Sequence, residues 1–399
     1  MILAGVLRLI LVPFFSASFN YVNWFRAEYV LLNDPSNFYA YTSYPPLFHF
    51  IFLPAYLVFR STTLQAPFLY AAKLPLIVSD LVSAYLVYIV ITYLTNDKTS
   101  ALKGFILYAF NPFLIVVSAI WGEFDTISNL FVIIGFYYAR CLKKFTKSAL
   151  FLGLGIATKI YPVFLIPLYF LDYVRSLPNR SIRIIFGRFM RFLWVAMTPS
   201  IIFFSPFLIL NHNLVFFGLR WSTEITWRDI GPFSLLLALV QSTGISSFVL
   251  YPVCQFASIS GFVIIFILVN LNKIALEINH VLWFPLIFLY SSVLHENHIV
   301  WALPFVTIIY FYKKEYQFTY YSWIIPLIHF LIYNGQFLYR NGSTGLFELL
   351  YFLTGKAVIV FDYIPFPTLI REALIYAFFI FYGGYQIFRV ATIELRHNI

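Results

Sequence analysis

The sequence contains few charged residues: Asp, Glu, Lys and Arg make up only 11% of its 399 residues. A soluble domain carries about 25% charged residues, so this chain has too little polar surface to be covered by water. The hydrophobic fraction is 61%, and the mean hydropathy is +0.85. This composition excludes a soluble globular domain and predicts an integral membrane protein.

Cysteine is nearly absent, with Cys141 and Cys254 the only two. Two cysteines provide no disulfide framework and indicate no redox compartment. The net charge of +10 is high enough to raise the question of a nucleic-acid partner. In a membrane protein, however, basic residues act mainly as orientation signals. We therefore predict membrane lipids as partners and no nucleic acid.

Apolar runs recur along the whole chain, and each is long enough to cross about 30 Å of hydrocarbon. They predict an all-α, polytopic fold of about twelve membrane segments in a single transmembrane domain, residues 1–399. The run at 1–15 is expected to be a retained signal-anchor helix. Basic clusters at 140–147, 175–191 and 313–314, and the C-terminal tail, should face the cytoplasm. Residues 16–73, 211–247 and 334–362 then form external regions, and single helices are expected over about 102–120 and 192–210.

Two segments do not fit a simple alternation of crossings. The apolar run 44–59 would reverse the parity if it crossed, so we expect an interfacial or re-entrant helix in the first external loop. The run between Lys147 and Arg175 starts and ends on the cytoplasmic side. We predict two short helices there that meet near Lys159, because broken helices occur at membrane depth where protein buries them or where they line a cavity.

Acidic residues concentrate away from the cytoplasmic side. Of the sixteen Asp and Glu residues, only these are predicted to face the cytoplasm: Asp97, Asp172, Glu277, Glu315 and Glu394. Ionisable residues at membrane depth usually mark a pathway or a site. We therefore expect the chemistry on the outer face.

Two short motifs on the outer face carry candidate functional groups. In WGEFD (121–125), Glu123 and Asp125 could activate a hydroxyl or bind a cation, or Asp125 could simply N-cap the next helix. In HENH (295–298), the side chains could hold a divalent cation or a phosphate, although the i, i+4 spacing of a helical metal pair is absent. A polar turn is the alternative there. A divalent cation is thus the one cofactor considered, and no metal ligands are assigned.

Lys159 is the only lysine in the apolar run 150–171. It could pair with a phosphate, with Asp80 or with Asp125, or its side chain could extend to the membrane interface. For Asp80 we favour a structural pair or cap. The aromatic residues of the first external loop could stack on sugar rings or form an interfacial belt.

A series of motifs occurs in a fixed order: YPPL (44–47), SDL (79–81), NP (111–112) leading to WGEFD, TKIYP (158–162) and HENH. This order resembles the GT-C membrane glycosyltransferases, especially the dolichyl-phosphate-glucose and -mannose dependent enzymes and their prokaryotic relatives. The resemblance covers residues 1 to about 310. It implies two juxtamembrane helices in the first external loop. It also implies an inverting displacement at the outer or lumenal face.

On this resemblance, the donor is a polyprenyl-phosphate-linked hexose, mannose or glucose, and the acceptor is a lipid-linked glycan or another hydroxyl. A carboxylate takes the acceptor proton and the lipid phosphate leaves. Where the family has an Asp after the first helix, this chain has Asn20, and an amide cannot act as a base. The candidate bases, in order of preference, are Asp125, Asp34, Glu28 and Glu123. The expected substrate contacts are Lys159, His295, Glu296, His298, Arg220, Arg228, Trp121 and Tyr44.

The protein would then be a multi-pass enzyme of the cell membrane in a prokaryote, or of the endoplasmic reticulum in a eukaryote. Two other classes stay open. A transporter or flippase of lipid-linked or small-molecule substrates often has broken helices and internal repeats, but only one broken pair and no repeat are evident here. A catalytically silent relative, acting as an assembly subunit, would explain Asn20.

Overall fold

The computed structural model describes residues 1–14, 18–60, 66–178, 181–224, 275–280 and 300–313, and a few single positions at 260, 263, 266, 267, 389, 392 and 393. Within these residues the protein is all-helical and contains no strand, which confirms the predicted class. The α-helices are α1 (Ile2–Leu11), α2 (Ser18–Asn33), α3 (Pro46–Phe59), α4 (Ala66–Thr95), α5 (Lys98–Ala109), α6 (Pro112–Ile115), α7 (Asp125–Phe136), α8 (Phe145–Thr158), α9 (Ile166–Arg175), α10 (Ile182–Glu224) and α11 (Leu303–Tyr312).

Two described helices are long and apolar enough to cross a membrane, over Pro67–Thr95 and Ile182–Phe217. A third crossing is available if Lys98–Ala109 and Pro112–Trp121, which meet at a bend of 46°, form one broken span. Shorter apolar helices are Ile2–Leu11, Pro46–Phe59, Phe145–Thr158 and Leu303–Tyr312. The protein therefore has the helices of a membrane protein, while the total of about twelve segments stays a prediction.

The bend between α5 and α6 follows from the sequence Asn111-Pro112. The Asn111 side chain accepts from the backbone N–H groups of Phe113 and Leu114, at 2.8 and 3.3 Å, which caps a new helix start. Proline at the first helical position suits this start because it lacks the N–H that would otherwise need a partner. The predicted single helix over 102–120 is therefore two helical pieces, the second of which continues as a π-helix over Val116–Trp121.

The predicted helix over residues 192–210 is much longer in the structure. Helix α10 runs from Ile182 to Glu224 and is interrupted at Asn211, whose backbone is extended (φ −161°, ψ 80°). Two predictions are corrected as a result. Arg183, Arg188 and Arg191 lie on a helix rather than in a loop, and the predicted external region 211–247 begins as helix. The α-helix needs no apolar residues at its ends, so hydropathy alone underestimated its length.

Residues 16–73, predicted to form the first external loop, contain two helices, α2 and α3, joined by a 3-10 segment at Pro35–Ala40. Helix α3 is a 14-residue apolar helix, which spans about 21 Å at 1.5 Å per residue and is short for a crossing. An aromatic core of Trp24, Phe48, Phe52 and Phe68 holds these helices against α4. It extends to Phe124, which places the loop beside the WGEFD motif.

The larger core surrounds α4, which packs against α5, α7, α11 and α3, while α8 packs between α7 and α10. The approach of α8 to α10 depends on Gly153: a Cβ there would lie 2.1 Å from the backbone oxygen of Ala196. Helix α8 is thereby held with its last turn next to the start of α7. These two ends form the candidate site.

Candidate functional site

The WGEFD motif reverses the chain between two helical segments. The π-helix Val116–Trp121 ends at Gly122, which has a left-handed backbone (φ 78°) that favours glycine. The amide groups of Gly122 and Glu123 both donate to the Val117 carbonyl, at 3.0 and 2.9 Å, and close the turn. Helix α7 then begins at Asp125 itself, with Phe124 in the N-cap position and no side-chain cap. Asp125 thus does not act as the N-cap.

The second half of the site is the predicted helix break at TKIYP. Helix α8 ends at Thr158, and Lys159 has an extended backbone (φ −153°, ψ 138°). A 3-10 segment, Tyr161–Leu165, and helix α9 follow. Pro162 cannot donate the backbone hydrogen bond that would continue α8 to the Thr158 carbonyl, which favours the end of the helix there. The prediction of two short helices meeting near Lys159 is confirmed.

Lys159 and Asp125 meet across this junction. The Lys159 ammonium donates to Asp125 Oδ1 at 2.6 Å, and the Trp301 indole N–H donates to the same oxygen at 2.7 Å. Asp125 is fully buried, whereas the Lys159 side chain keeps 14% of its surface exposed. Of the partners proposed for Lys159, Asp125 is therefore the one found. The carboxylate fixes the direction of the ammonium of a side chain that is still partly exposed.

Polar residues in the first turns of α7 hold the neighbouring segments in place. The Ser128 hydroxyl donates to the Gly155 carbonyl of α8 at 3.1 Å, one turn before Lys159. The Asn129 amide donates to the Val300 carbonyl at 2.9 Å, next to Trp301. Both partners of Asp125 are therefore tied to the helix that Asp125 starts.

Aromatic rings surround the Lys159 ammonium. It lies 5.0 Å from the centroid of the Phe124 ring and 5.4 Å from that of Trp301, within the range of cation–π attraction. The Trp301 ring stacks on Tyr161, with centroids 3.9 Å apart and planes 7° apart. Tyr44, half-buried in the YPPL motif, packs edge-on against Phe124 at 4.8 Å. An aromatic wall thus runs from Lys159 to the first external loop.

A second polar centre lies in that loop. Glu28 of α2 accepts from His49 Nδ1 of α3 at 2.8 Å, and His49 Nε2 contacts the Thr42 hydroxyl at 2.9 Å. Glu28 and His49 are fully buried, and Thr42 is 8% exposed. Burial raises the pKa of Glu28, against the opposing effect of the hydrogen bond and charge of His49. Glu28 is therefore part of a carboxylate–imidazole–hydroxyl chain, and the structure shows no contact between it and Asp125.

Asp34, the second candidate base, lies at the exposed junction between α2 and the 3-10 segment. Its carboxylate accepts from the Ser36 hydroxyl and the Asn37 amide, both at 2.6 Å. These hydrogen bonds, that of Ser36 first, lower the pKa of Asp34 because they stabilise its charged form. The Asp34 carboxylate thus binds polar side chains of its own turn.

The structure describes only some of the remaining predicted site residues. Glu123 is buried and Trp121 half-buried in the same turn as Asp125. Arg220 has its backbone in α10, and its side chain is outside the described part. The other predicted contacts lie outside the described residues: Arg228, His295, Glu296 and His298. Among the residues that are described, no group of three or more His, Cys, Asp or Glu side chains could hold a metal ion.

Asp80 forms a separate, structural centre, as the sequence favoured. Arg8 of α1 donates to Asp80 Oδ2 through two nitrogens, at 2.9 and 2.6 Å, and the Ser118 hydroxyl donates to the same oxygen at 3.1 Å. Arg8 is fully buried and Asp80 nearly so. This pair joins α1, α4 and the π-helix, and it leaves Asp125 as the partner of Lys159.

Sequence reasoning missed Trp301, His49 and Thr42. Trp301 lies 176 residues from the carboxylate it contacts, and a tryptophan in an apolar run has the same composition as an interfacial belt. His49 is a single histidine on an apolar helix, which is most often a core residue. The one available signal was that Glu28, His49 and Thr42 all lie in the predicted external loop.

No protein-family model matches this chain, and no curated protein matches it. The function proposed next is therefore inferred from the arrangement of these side chains and from the order of the motifs.

Proposed function

We propose that this protein is a multi-pass membrane glycosyltransferase that moves a hexose from a polyprenyl-phosphate carrier to a hydroxyl of a lipid-linked glycan or another acceptor. The transfer takes place at the outer or lumenal face and inverts the anomeric centre. The acceptor oxygen bonds to the anomeric carbon, the bond from that carbon to the phosphate oxygen breaks, and the lipid phosphate leaves with the electron pair. The ordered motifs and the Lys159 centre both support this reaction.

The Lys159 ammonium is the observation that carries the proposal. An ammonium has three N–H donors, and one of them goes to Asp125. Among the described residues the other two donors have no hydrogen-bond partner, and the side chain is partly exposed, so both features suit the binding of a phosphate. As the phosphodiester of the donor becomes a leaving phosphate monoester, its negative charge grows. A fixed cation stabilises that growing charge more than it stabilises the ground state, and this difference accelerates transfer.

Asp125 is assigned the role of holding that cation. Its Oδ1 accepts from both Lys159 and Trp301, so the carboxylate orients the ammonium and the indole together. A buried carboxylate with two donors on one oxygen is well placed for this task. Such a fixed arrangement needs no reorganisation when the substrate arrives.

The aromatic wall offers the place for the hexose. Tyr44 and Phe124 continue from Lys159 toward the first external loop, and aromatic faces pack well against the C–H face of a pyranose. A donor with its phosphate at Lys159 would place its sugar along Tyr44. The polyprenyl chain would remain in the bilayer, which the apolar outer surfaces of α4 and α10 contact.

The experiment is reconstitution of the full chain into vesicles with radiolabelled polyprenyl-phosphate mannose or glucose, with source-membrane lipids as the acceptor. We expect labelled glycolipid from the wild type. Lys159→Met should lower kcat/KM about 100- to 1000-fold, the usual effect of losing one oxyanion donor. Lys147→Met is the matched control, because Lys147 also lies over an aromatic ring, that of Tyr138 at 5.5 Å, but away from the site.

Other outcomes would select the alternatives. Movement of labelled lipid across the vesicle membrane without sugar transfer would overturn the enzyme and favour a flippase, which the helix break at Lys159 also suits. Neither transfer nor donor binding would favour a catalytically silent relative. Equal activity of the Lys159→Met and Lys147→Met variants would remove Lys159 from the site.

A further inference from the structure

The proposed transfer needs a proton acceptor for the acceptor hydroxyl, and Asp125 is occupied by Lys159 and Trp301. The chain formed by Thr42, His49 and Glu28 offers one. We propose, on the basis of the proposed function, that Thr42 takes the proton of the acceptor hydroxyl while it passes its own proton to His49, and that Glu28 orients and stabilises the charged imidazole.

The hydrogen bonds define the direction of this relay. A carboxylate can only accept, so the Glu28 contact at 2.8 Å assigns the hydrogen to His49 Nδ1. In the neutral ring, Nε2 is then an acceptor and receives the Thr42 hydroxyl at 2.9 Å. This is the arrangement in which a histidine can take a proton from a hydroxyl, with a buried carboxylate opposite the charge that forms.

Thr42 is the least buried member of the chain. Glu28 and His49 are fully buried, Thr42 is 8% exposed, and the neighbouring Tyr41 is 52% exposed. The Thr42 oxygen has two lone pairs, and one accepts the Tyr44 amide at 3.2 Å. Among the described residues no other group binds this oxygen, so its second lone pair can accept from an acceptor hydroxyl.

The same loop connects this chain to the Lys159 centre. The Tyr44 amide binds Thr42, and the Tyr44 ring contacts the Phe124 ring, which in turn contacts the Lys159 ammonium. A donor hexose lying along Tyr44 would have its phosphate toward Lys159 and its opposite face toward Thr42. An inverting displacement requires the nucleophile and the leaving group on opposite sides of the anomeric carbon, and in this order of contacts Tyr44 comes between Thr42 and Lys159.

The step balances in atoms and charge. The acceptor oxygen forms the new bond to the anomeric carbon, and the carbon–phosphate oxygen bond breaks with its electrons on the lipid phosphate. The acceptor proton moves to Thr42 Oγ1 as the Thr42 proton moves to His49 Nε2. The resulting imidazolium faces the Glu28 carboxylate. After the products leave, the extra proton passes from His49 Nε2 through the Thr42 hydroxyl to water. Thr42 is the catalytic residue in this step, and His49 and Glu28 act through it.

The test uses the full chain in vesicles and separates donor binding from transfer. Thr42→Val should lower kcat about 100-fold, the low end of the range for losing a general base, with the donor KM and the binding of labelled polyprenyl-phosphate hexose unchanged. Thr42→Ser keeps the hydroxyl and should retain transfer. His49→Gln and Glu28→Gln should also lower kcat without a change in donor KM, a division that a purely structural role would not produce.

Thr307→Val is the matched control, because Thr307 is a fully buried threonine whose hydroxyl only bonds the Leu303 carbonyl of its own helix. Full kcat in Thr42→Val, or equal loss in Thr42→Ser and Thr42→Val, would overturn the relay and leave the proposed transferase in place. A wild-type protein that neither binds nor transfers the labelled donor would overturn both.

Discussion

Three positive charges lie among apolar helices, those of Arg8, Lys73 and Lys159. Each is compensated by a different kind of partner. Arg8 pairs with a buried carboxylate. Lys73, fully buried, donates to backbone oxygens at the ends of helical segments, where the carbonyls carry partial negative charge. These are the carbonyls of Val12, Ala119 and Ile120. Lys159 alone of the three keeps an exposed surface, and for this reason it is the cation suited to a ligand.

The pair of Arg8 and Asp80 leads to a stability prediction. Removing one partner should cost about 3–5 kcal/mol, because the other charge is then buried without compensation. We expect Arg8→Met and Asp80→Leu each to unfold at a clearly lower temperature in detergent. The double variant should be more stable than either single one, since neither charge remains. A double variant as unstable as the sum of the two would show that the charges are not coupled.

The site residues differ in how far sequence could find them. Asp125 and Lys159 lie only 34 residues apart, and each was marked by a local signal, a carboxylate in a polar turn and a single lysine in an apolar run. Trp301 and His49 carry no such local signal. Trp301 lies 176 residues from Asp125, and His49 meets Glu28 only because α3 packs against α2, so the packing of the helices is needed to find both.

Among the helices, the junction of α7, α8 and α10 determines where Lys159 lies. The polar side chains of α7 hold α8 from one side, and α10 packs closely on the other at Gly153. The Ala196 carbonyl that Gly153 approaches belongs to backbone, which cannot move aside as a flexible side chain can. The last turn of α8 therefore has little freedom, and the helix break presents Lys159 from a fixed position.

The replacement Gly153→Ala tests this packing. Its Cβ would lie 2.1 Å from Ala196 O, so α8 and α10 must separate, at a cost of about 1–3 kcal/mol typical of overpacking. Gly187→Ala is the control on α10 itself, where a Cβ meets nothing within 4 Å, and it should be neutral or slightly stabilising. Thermal unfolding in detergent measures both. Equal melting temperatures for the two variants would contradict the close contact.

Helix positions were predictable where the sequence carries a stop signal. The break at Lys159 was predicted because Pro162 and the charge lie within an apolar run. The bend at Asn111 was not predicted as a break, although Asn-Pro is a helix-start signal, because the apolar composition continues through it. The length of α10 was underestimated for a related reason. Arginine is a good helix former, but hydropathy alone assigned the segment with Arg183, Arg188 and Arg191 to a loop.

At the scale of the whole molecule, the proposed site and the basic connectors should lie on opposite sides of the membrane. The predicted topology has three crossings between the first external loop and the start of α8. Helix α4 and the bent pair of α5 with α6 are long and apolar enough to cross, and the third predicted crossing is α7 continued by the π-helix Tyr137–Cys141. An odd number of crossings separates the two ends, provided that α3 does not cross.

Cysteine labelling tests this parity at two small exposed residues, Ala40 in the first loop and Thr146 at the start of α8. In a background with Cys141 and Cys254 replaced by serine, Ala40→Cys should react with an impermeant maleimide in sealed right-side-out vesicles. Thr146→Cys should react only after permeabilisation, because positively charged connectors remain in the cytoplasm. A dye trapped in the vesicles checks that they are sealed. If α3 crossed the membrane as well, the count would be even and both cysteines would label from the same side, and the Lys159 centre and the Thr42 relay could not face one external substrate.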